Sequence, residues 1–286
     1  MAESLGMKTW KDAAERWQEE TLHKRTAHED TRKLLWIGQH LDRLPLTAIN
    51  ADVIRDVAKA RKLEGSSPST VNRYLALIRA VLRRAENEWE WLERVPRVRL
   101  APEPKRRVRW ITPDQARTLL TELPEHQRHA CLLALATGLR QSNVLGLRWN
   151  DVDMRRRVLW VWGDATKNGE DIQVPLNDMA LEVLGARLGR HSEFVLTYRG
   201  NRLRSINTRC WRKALKRAGI LNFRWHDLRH TWASWLVQRR VPLFALQELG
   251  GWQSAQMVRR YAHLSPSVNS RYAAEIDREF AGHPDC

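Results

Sequence analysis

The chain has 286 residues, of which 49 are Lys or Arg and 33 Asp or Glu, giving a net charge of +16. That excess points to a polyanionic partner, either nucleic acid or an anionic membrane surface, and the length suits two domains better than one. No run of 18 apolar residues occurs and the first 24 residues mix charged and polar side chains, so neither a membrane span nor a signal peptide is expected.

Residues 8–91 read as one helix after another. Trp10, Ala13, Ala14 and Trp17 recur at helical spacing, as do Val53, Ile54, Val57 and Ala58, and then Leu75, Ile78, Val81, Leu82 and Ala85. Ser66-Ser67-Pro68-Ser69 sets a hydroxyl cap and an early proline ahead of a long helix predicted from Thr70 to Trp91. Residues 1–94 are therefore expected to form a small helical domain. Residues 95–107 combine Pro96, Pro102 and Pro104 with five basic side chains, the composition of an extended linker.

Residues 108–286 form the second expected domain. Thr112-Pro113-Asp114-Gln115 is a capped helix start, and a buried helix over His129–Thr137 stops at Gly138. Val158–Trp162 and Asp171–Pro175 are rich in β-branched and aromatic residues and read as two strands joined by a hairpin turn that carries Lys167. Further helices are predicted at 177–188, 206–218, 226–239, 242–249, 254–261 and 266–280, with an extra strand over Phe194–Thr197. The fold class is mainly α with a small antiparallel β-sheet, in two domains.

Charge is unevenly shared. Residues 1–104 hold 19 basic and 16 acidic side chains, a net +3, whereas residues 105–286 hold 30 and 17, a net +13. Within 191–217, Arg199, Arg202, Arg204, Arg209, Arg212, Lys213, Lys216 and Arg217 face the single acid Glu193. The five arginines from 199 to 212, with Arg106 and Arg107 of the linker, are candidates for phosphate contact; a solvated helix face is the plainer alternative. Cys131, Cys210 and Cys286 are far apart with no Cys-x-x-Cys partner, so neither a zinc site nor a disulfide framework is expected, and a reducing cytoplasm fits.

The second half also carries Thr137-Gly138-Leu139-Arg140, Lys167 on its turn, His226-Asp227-Leu228-Arg229, Gly250-Gly251-Trp252 and Arg260-Tyr261. In this order and spacing, with Trp252 nine residues before Tyr261, the chain resembles the tyrosine recombinase family, the phage integrases and their relatives, over roughly residues 110–265. The resemblance implies an N-terminal helical core-binding domain and a C-terminal catalytic domain that clamp double-stranded DNA from opposite sides. It also implies a site-specific recombinase that uses no metal and no cofactor, and four protomers on two DNA sites. The tail after Tyr261 would dock as a helix, and accessory DNA-bending or directionality proteins would be further partners. With helical sequence starting near Lys8, the simpler two-domain form is expected, acting in the bacterial cytoplasm or nucleoid.

Breaking a phosphodiester needs an in-line nucleophile, cations for the non-bridging oxygens and a proton for the leaving alkoxide. By the resemblance Tyr261 is the nucleophile, forming a 3′-phosphotyrosyl link, and Lys167 the acid. Arg140 and Arg229 suit the phosphate oxygens because a guanidinium keeps its charge and offers forked donors. His226 could take the phenolic proton or orient the phosphate, and Trp252 offers an indole N–H that could donate to the phosphate and a large face that can pack the site together. His230 and His263 read as supporting residues. One departure stands out: where the family usually has Glu or Asp three residues after the first Arg, this chain has Asn143. A DNA-binding regulator with the same fold and no reaction, or a type IB topoisomerase-like strand transferase, are the alternatives to integration or excision of a prophage or mobile element.

Overall fold

A computed structural model describes residues 7–24, 26–103, 108–163, 169–264 and 276–277. Lys167, Arg106, Arg107 and the predicted helix 266–280, save residues 276 and 277, lie outside the described residues. The chain divides into two compact units, Met1–Arg106 and Arg107–Cys286.

The first unit holds α1 (Trp10–Thr21), α2 (Ala27–Leu41), α3 (Ala51–Leu63) and α4 (Pro68–Asn87). Each of three starts is locally encoded. Thr9 and Asp12 form a reciprocal capping box on α1, the Asn50 side chain accepts the N–H groups of Asp52 and Val53 on α3, and Ser67 caps α4 ahead of Pro68. Trp10, Ile37, Leu41, Ile78, Val81 and Leu82 are wholly buried where the four helices meet. Helix α4 ends at Asn87, four residues short of the predicted end, because the chain turns back on itself. Glu90 takes a left-handed φ of 56°, the Trp91 N–H bonds the Ala85 carbonyl at 2.7 Å, and the Trp89 indole donates to Glu20 at 3.0 Å. The apolar spacing continues past the helix because Trp89 reaches the same core from the turn.

The proline-rich stretch after it is extended but anchored. Val95 donates its N–H to the Glu86 carboxylate at 3.0 Å, and Val95 and Val98 pack on the core. Asn72, only 5% exposed, accepts the Ala101 N–H at 2.9 Å and donates to the Ala101 carbonyl at 2.8 Å. A buried amide must find partners, and here the chain beyond α4 supplies them. Residues 95–101 of the expected extended linker are therefore packed onto the first unit rather than free of it.

The second unit begins with α5 (Pro113–Thr121), capped by Thr112 and Gln115, then α6 (Glu125–Thr137) and the short α7 (Gln141–Gly146). A three-stranded antiparallel sheet follows, ordered β1 (Val152–Asp153), β2 (Val158–Val161), β3 (Ile172–Pro175), with Leu159 opposite Val152 on one side and Val174 on the other. Next come α8 (Asp178–Arg187), the small hairpin β4 (Thr197–Tyr198) and β5 (Asn201–Arg202), α9 (Thr208–Arg217), α10 (Asp227–Gln238), α11 (Leu243–Gly250) and α12 (Ala255–Arg259). Helix α6 starts a turn before the predicted His129, and the extra strand lies at Thr197–Tyr198 rather than over Phe194–Thr197. Its position follows from buried Arg187, whose guanidinium donates to the Thr197 carbonyl at 2.9 Å and hydroxyl at 2.7 Å.

Two apolar clusters fill this unit. The larger gathers Leu133, Leu159, Leu184, Val195 and Leu228; the smaller gathers Trp232, Ala233, Val237, Leu246, Val258 and Tyr261. Helix α10 belongs to both, and it is fixed at Ile111, whose N–H donates to the Thr231 hydroxyl at 3.3 Å and whose carbonyl accepts the Trp235 indole at 2.9 Å.

Candidate active site

The site is assembled around the N-terminal half of α10 by the ends of two other helices. Helix α6 stops at Gly138, which takes a φ of +66° and has no room for a side chain: a Cβ there would lie 2.4 Å from the Trp232 ring. Helix α11 stops in the same way, with Gly251 at φ +58° and a Cβ position 2.4 Å from Ile172 of β3. These two reversals aim two carbonyls at one guanidinium. Arg229 donates through one terminal nitrogen to the Gly138 carbonyl at 2.7 Å and through the other to the Gly250 carbonyl. It is 5% exposed, and burial, then the nearby Arg140, lower its pKa to about 10, so it stays charged at neutral pH. Its guanidinium carbon sits 4.2 Å from the centroid of the Trp252 ring, a cation–π contact. Trp252 therefore meets the site with its face. Gly250 must be glycine for this, since a Cβ would come within 2.1 Å of that ring.

Arg140 follows directly from the Gly138 turn and occupies the N-cap position of α7. It is half-buried, burial lowers its pKa, and it has no hydrogen-bond acceptor among the described residues. Asn143, one turn on, is 6% exposed and its side-chain oxygen accepts the Ser142 hydroxyl at 3.3 Å. Among the described residues no carboxylate bonds either Arg140 or Arg229.

Tyr261 is 1% exposed, and burial raises its pKa to about 12 against the opposing pull of Arg229 and Arg260. Its hydroxyl lies 2.6 Å from Nδ1 of His230. The imidazole that meets the phenol is thus His230, which the sequence places only in a supporting role, while His226 stands edge-on behind it with ring centroids 5.0 Å apart. His226 occupies the N-cap position of α10 but makes no side-chain capping bond. Burial first, then His226, Arg260 and Arg229, hold the His230 pKa down at about 4; burial and Arg229 lower that of His226. With the phenol pushed up to about 12 and the imidazolium down to about 4, the neutral pair is strongly favoured, so in this arrangement the tyrosine O–H donates and the neutral ring accepts. The spacing of His226 and His230, four apart on one helix face, was a legible sign of a histidine pair.

The other candidates separate into two groups. Arg199, Arg202, Arg204, Arg209 and Arg212 are all exposed. Arg202 is turned onto its own unit, donating to the Leu145 carbonyl at 3.2 Å with its guanidinium 5.1 Å from the Phe194 ring, and Arg199 lies 5.2 Å from the Tyr198 ring. Arg204, Arg209 and Arg212 have no ion-pair partner among the described residues. Helix α9 buries Trp211, Ala214 and Leu215 and presents Arg209, Arg212, Lys213 and Lys216 on its other face, while Arg217 is paired with Glu122.

Residues 109–267 match the profile of the phage integrase family. The integrase of Salmonella phage P22 is 37% identical over 312 residues, a match covering 95% of this chain and 80% of its own. The shufflon-specific DNA recombinase of Escherichia coli is 29% identical over 230 residues, covering 77% and 58%. Among solved structures, the Tn1549 transposon integrase in complex with transposon right end DNA superposes with a TM-score of 0.72 at 17% identity, covering 93% of this chain and 98% of that one. A lambda integrase tetramer bound to a Holliday junction gives 0.72 at 23%, covering 90% and 78%. This chain belongs to the phage integrase family, and its enzyme class is that of the tyrosine recombinases.

Proposed function

We propose that this protein cleaves and rejoins double-stranded DNA at a specific site through a transient 3′-phosphotyrosyl bond to Tyr261. The observation that carries this reading is the convergence of a buried tyrosine, two histidines and a buried arginine at one place, with Arg140 beside them. Tyr261 attacks phosphorus, Arg140 and Arg229 take the two non-bridging oxygens, His226 orients the phosphate, Trp252 backs Arg229, and Lys167 protonates the departing 5′ oxygen. Buried cations stabilise developing anionic charge more than solvated ones do, and Arg229 is held in place before DNA arrives, so little reorganisation is needed. Because the ester to Tyr261 keeps the energy of the broken bond, rejoining needs no nucleotide cofactor.

The first unit would act as the core-binding domain and the second as the catalytic domain, joined by the basic residues 95–107. Arg204, Arg209 and Arg212 are best placed to meet phosphates, with Arg106 and Arg107 as further contacts. The relatives include a lambda integrase tetramer on a Holliday junction, which supports a homotetramer acting on two DNA sites. The phage P22 integrase supports integration of a prophage or mobile element; excision, action in the bacterial cytoplasm and accessory DNA-bending or directionality proteins are further parts of this proposal. The test is a nicked suicide substrate carrying the attachment site. The parent should form an SDS-resistant protein–DNA adduct and Tyr261→Phe none; specific binding without an adduct from either would favour a non-catalytic DNA-binding regulator.

A further inference from the structure

We infer that His230 is a catalytic residue acting on the nucleophile: its Nδ1 accepts the Tyr261 hydroxyl hydrogen bond, aims the phenol oxygen, and takes the phenolic proton as the bond to phosphorus forms. This rests on Tyr261 being the nucleophile. Three observations lead to it. The Nδ1 to hydroxyl distance is 2.6 Å, the one side-chain hydrogen bond the phenol makes among the described residues. The helix that carries the ring is anchored directly after it, since Thr231 and Trp235 both tie α10 to Ile111. Finally, His226 closes off the ring edge-on, and Arg229 and Arg260 are the charged groups facing the pair, so the surroundings favour the neutral imidazole needed in an acceptor. Proton transfer before attack is uphill, but an aryl oxygen becomes strongly acidic as it bonds to phosphorus. The O–H bond then breaks, the N–H bond forms, and the 5′ oxygen leaves with a proton from the acid on its own side. On rejoining, Nδ1–H returns the proton to the departing phenolate.

The experiment is single-turnover adduct formation on the suicide substrate by the full chain and three variants. Asparagine places its amide oxygen where Nδ1 stands, glutamine reaches farther, to the place of Nε2, and leucine removes the acceptor. His230→Asn keeps the hydrogen-bond acceptor but cannot hold the proton, so adduct should form about a hundredfold more slowly than with the parent, while His230→Gln and His230→Leu, which lose the aim as well, fall about a further tenfold, with DNA affinity within about twofold throughout. A substrate with sulfur in place of the 5′ bridging oxygen has a leaving group that needs no acid, so it should rescue Lys167→Ala but not His230→Leu. Should leucine prove unfolded by thermal melting, the Asn and Gln pair decides. Glutamine equal to or faster than asparagine, or leucine at the parental rate, or rescue of leucine by sulfur, overturns the role of His230. Absence of adduct from the parent overturns instead the reading of Tyr261.

Discussion

Replacing Gly138 with alanine tests whether the end of α6 holds the site together. Alanine at φ +66° costs about 1–2 kcal/mol of backbone strain. Its methyl would also stand 2.4 Å from the buried Trp232 ring, and forcing that ring aside adds about 1–3 kcal/mol. Together these predict a loss of about 2–5 kcal/mol and, for a unit of this size, a melting point lower by about 4–20 °C. The Gly138 carbonyl would move with its residue and release one of the two anchors of Arg229, so adduct formation should fall further than the fraction unfolded explains. Gly185 is the internal control: it lies in α8 with nothing within 4 Å of its Cβ position, and alanine there should stabilise by about 0.5–1 kcal/mol. Differential scanning calorimetry and single-turnover cleavage measure both variants. A Gly138→Ala protein that melts within about 2 °C of the parent and cleaves at its rate would refute the reasoning.

Arg229→Lys keeps the charge but cannot reach both carbonyls, leaving a buried acceptor unpaired at about 1–3 kcal/mol; a lower melting point and at least a hundredfold slower adduct formation should result. The pH dependence of stability has a defined sign at both ends. His230, at about 4 when folded against 6.5 unfolded, binds its proton more readily in the unfolded chain, so stability should fall as pH drops from 6.5 towards 4, less so in His230→Asn. Tyr261, at about 12 against 10, holds its proton longer when folded, so stability should fall as pH rises from 10 to 12, and Tyr261→Phe should lose that limb in a denaturant titration. Arg209→Ala and Arg212→Ala should each weaken DNA binding and lower the slope of log affinity against log salt by about one; an unchanged slope would remove α9 from the DNA-facing surface.

Much of this architecture is legible because its signals are local. The Ser67-Pro68 and Thr112-Pro113 starts, the Gly138 stop and the alternation of β2 and β3 each depend on a few adjacent residues. The end of α4 is not, because Trp89 continues the helical apolar spacing while its indole is drawn across to Glu20, 69 residues away. The same limit applies at the site. Spacing brings His226, Arg229 and His230 onto one turn of α10, but which imidazole meets the phenol depends on the path of the chain through Gly251, Trp252 and α12. Likewise the Trp252 indole offers both an N–H donor and a broad packing face, and only its close packing against Gly250 shows that the face meets Arg229. For α9, charge count alone cannot separate Arg209 and Arg212 from Arg217, which differ in whether an acid from another helix lies within reach.

The carbonyls that grip Arg229 are those of Gly138, the residue that ends α6, and Gly250, the last of α11, and a helix C-terminus carries partial negative charge from its aligned peptide dipoles. The counter-charge of this guanidinium is therefore made of backbone. It has no pKa of its own, it cannot swing away to another cation, and it does not compete with a phosphate for the whole positive charge as an ionised carboxylate would. With an amide at buried Asn143, no carboxylate among the described residues bonds Arg140 or Arg229, and the backbone carbonyls balance Arg229 at every acidic pH. The cost is evolutionary stiffness, since losing this arginine unlatches two helices at once.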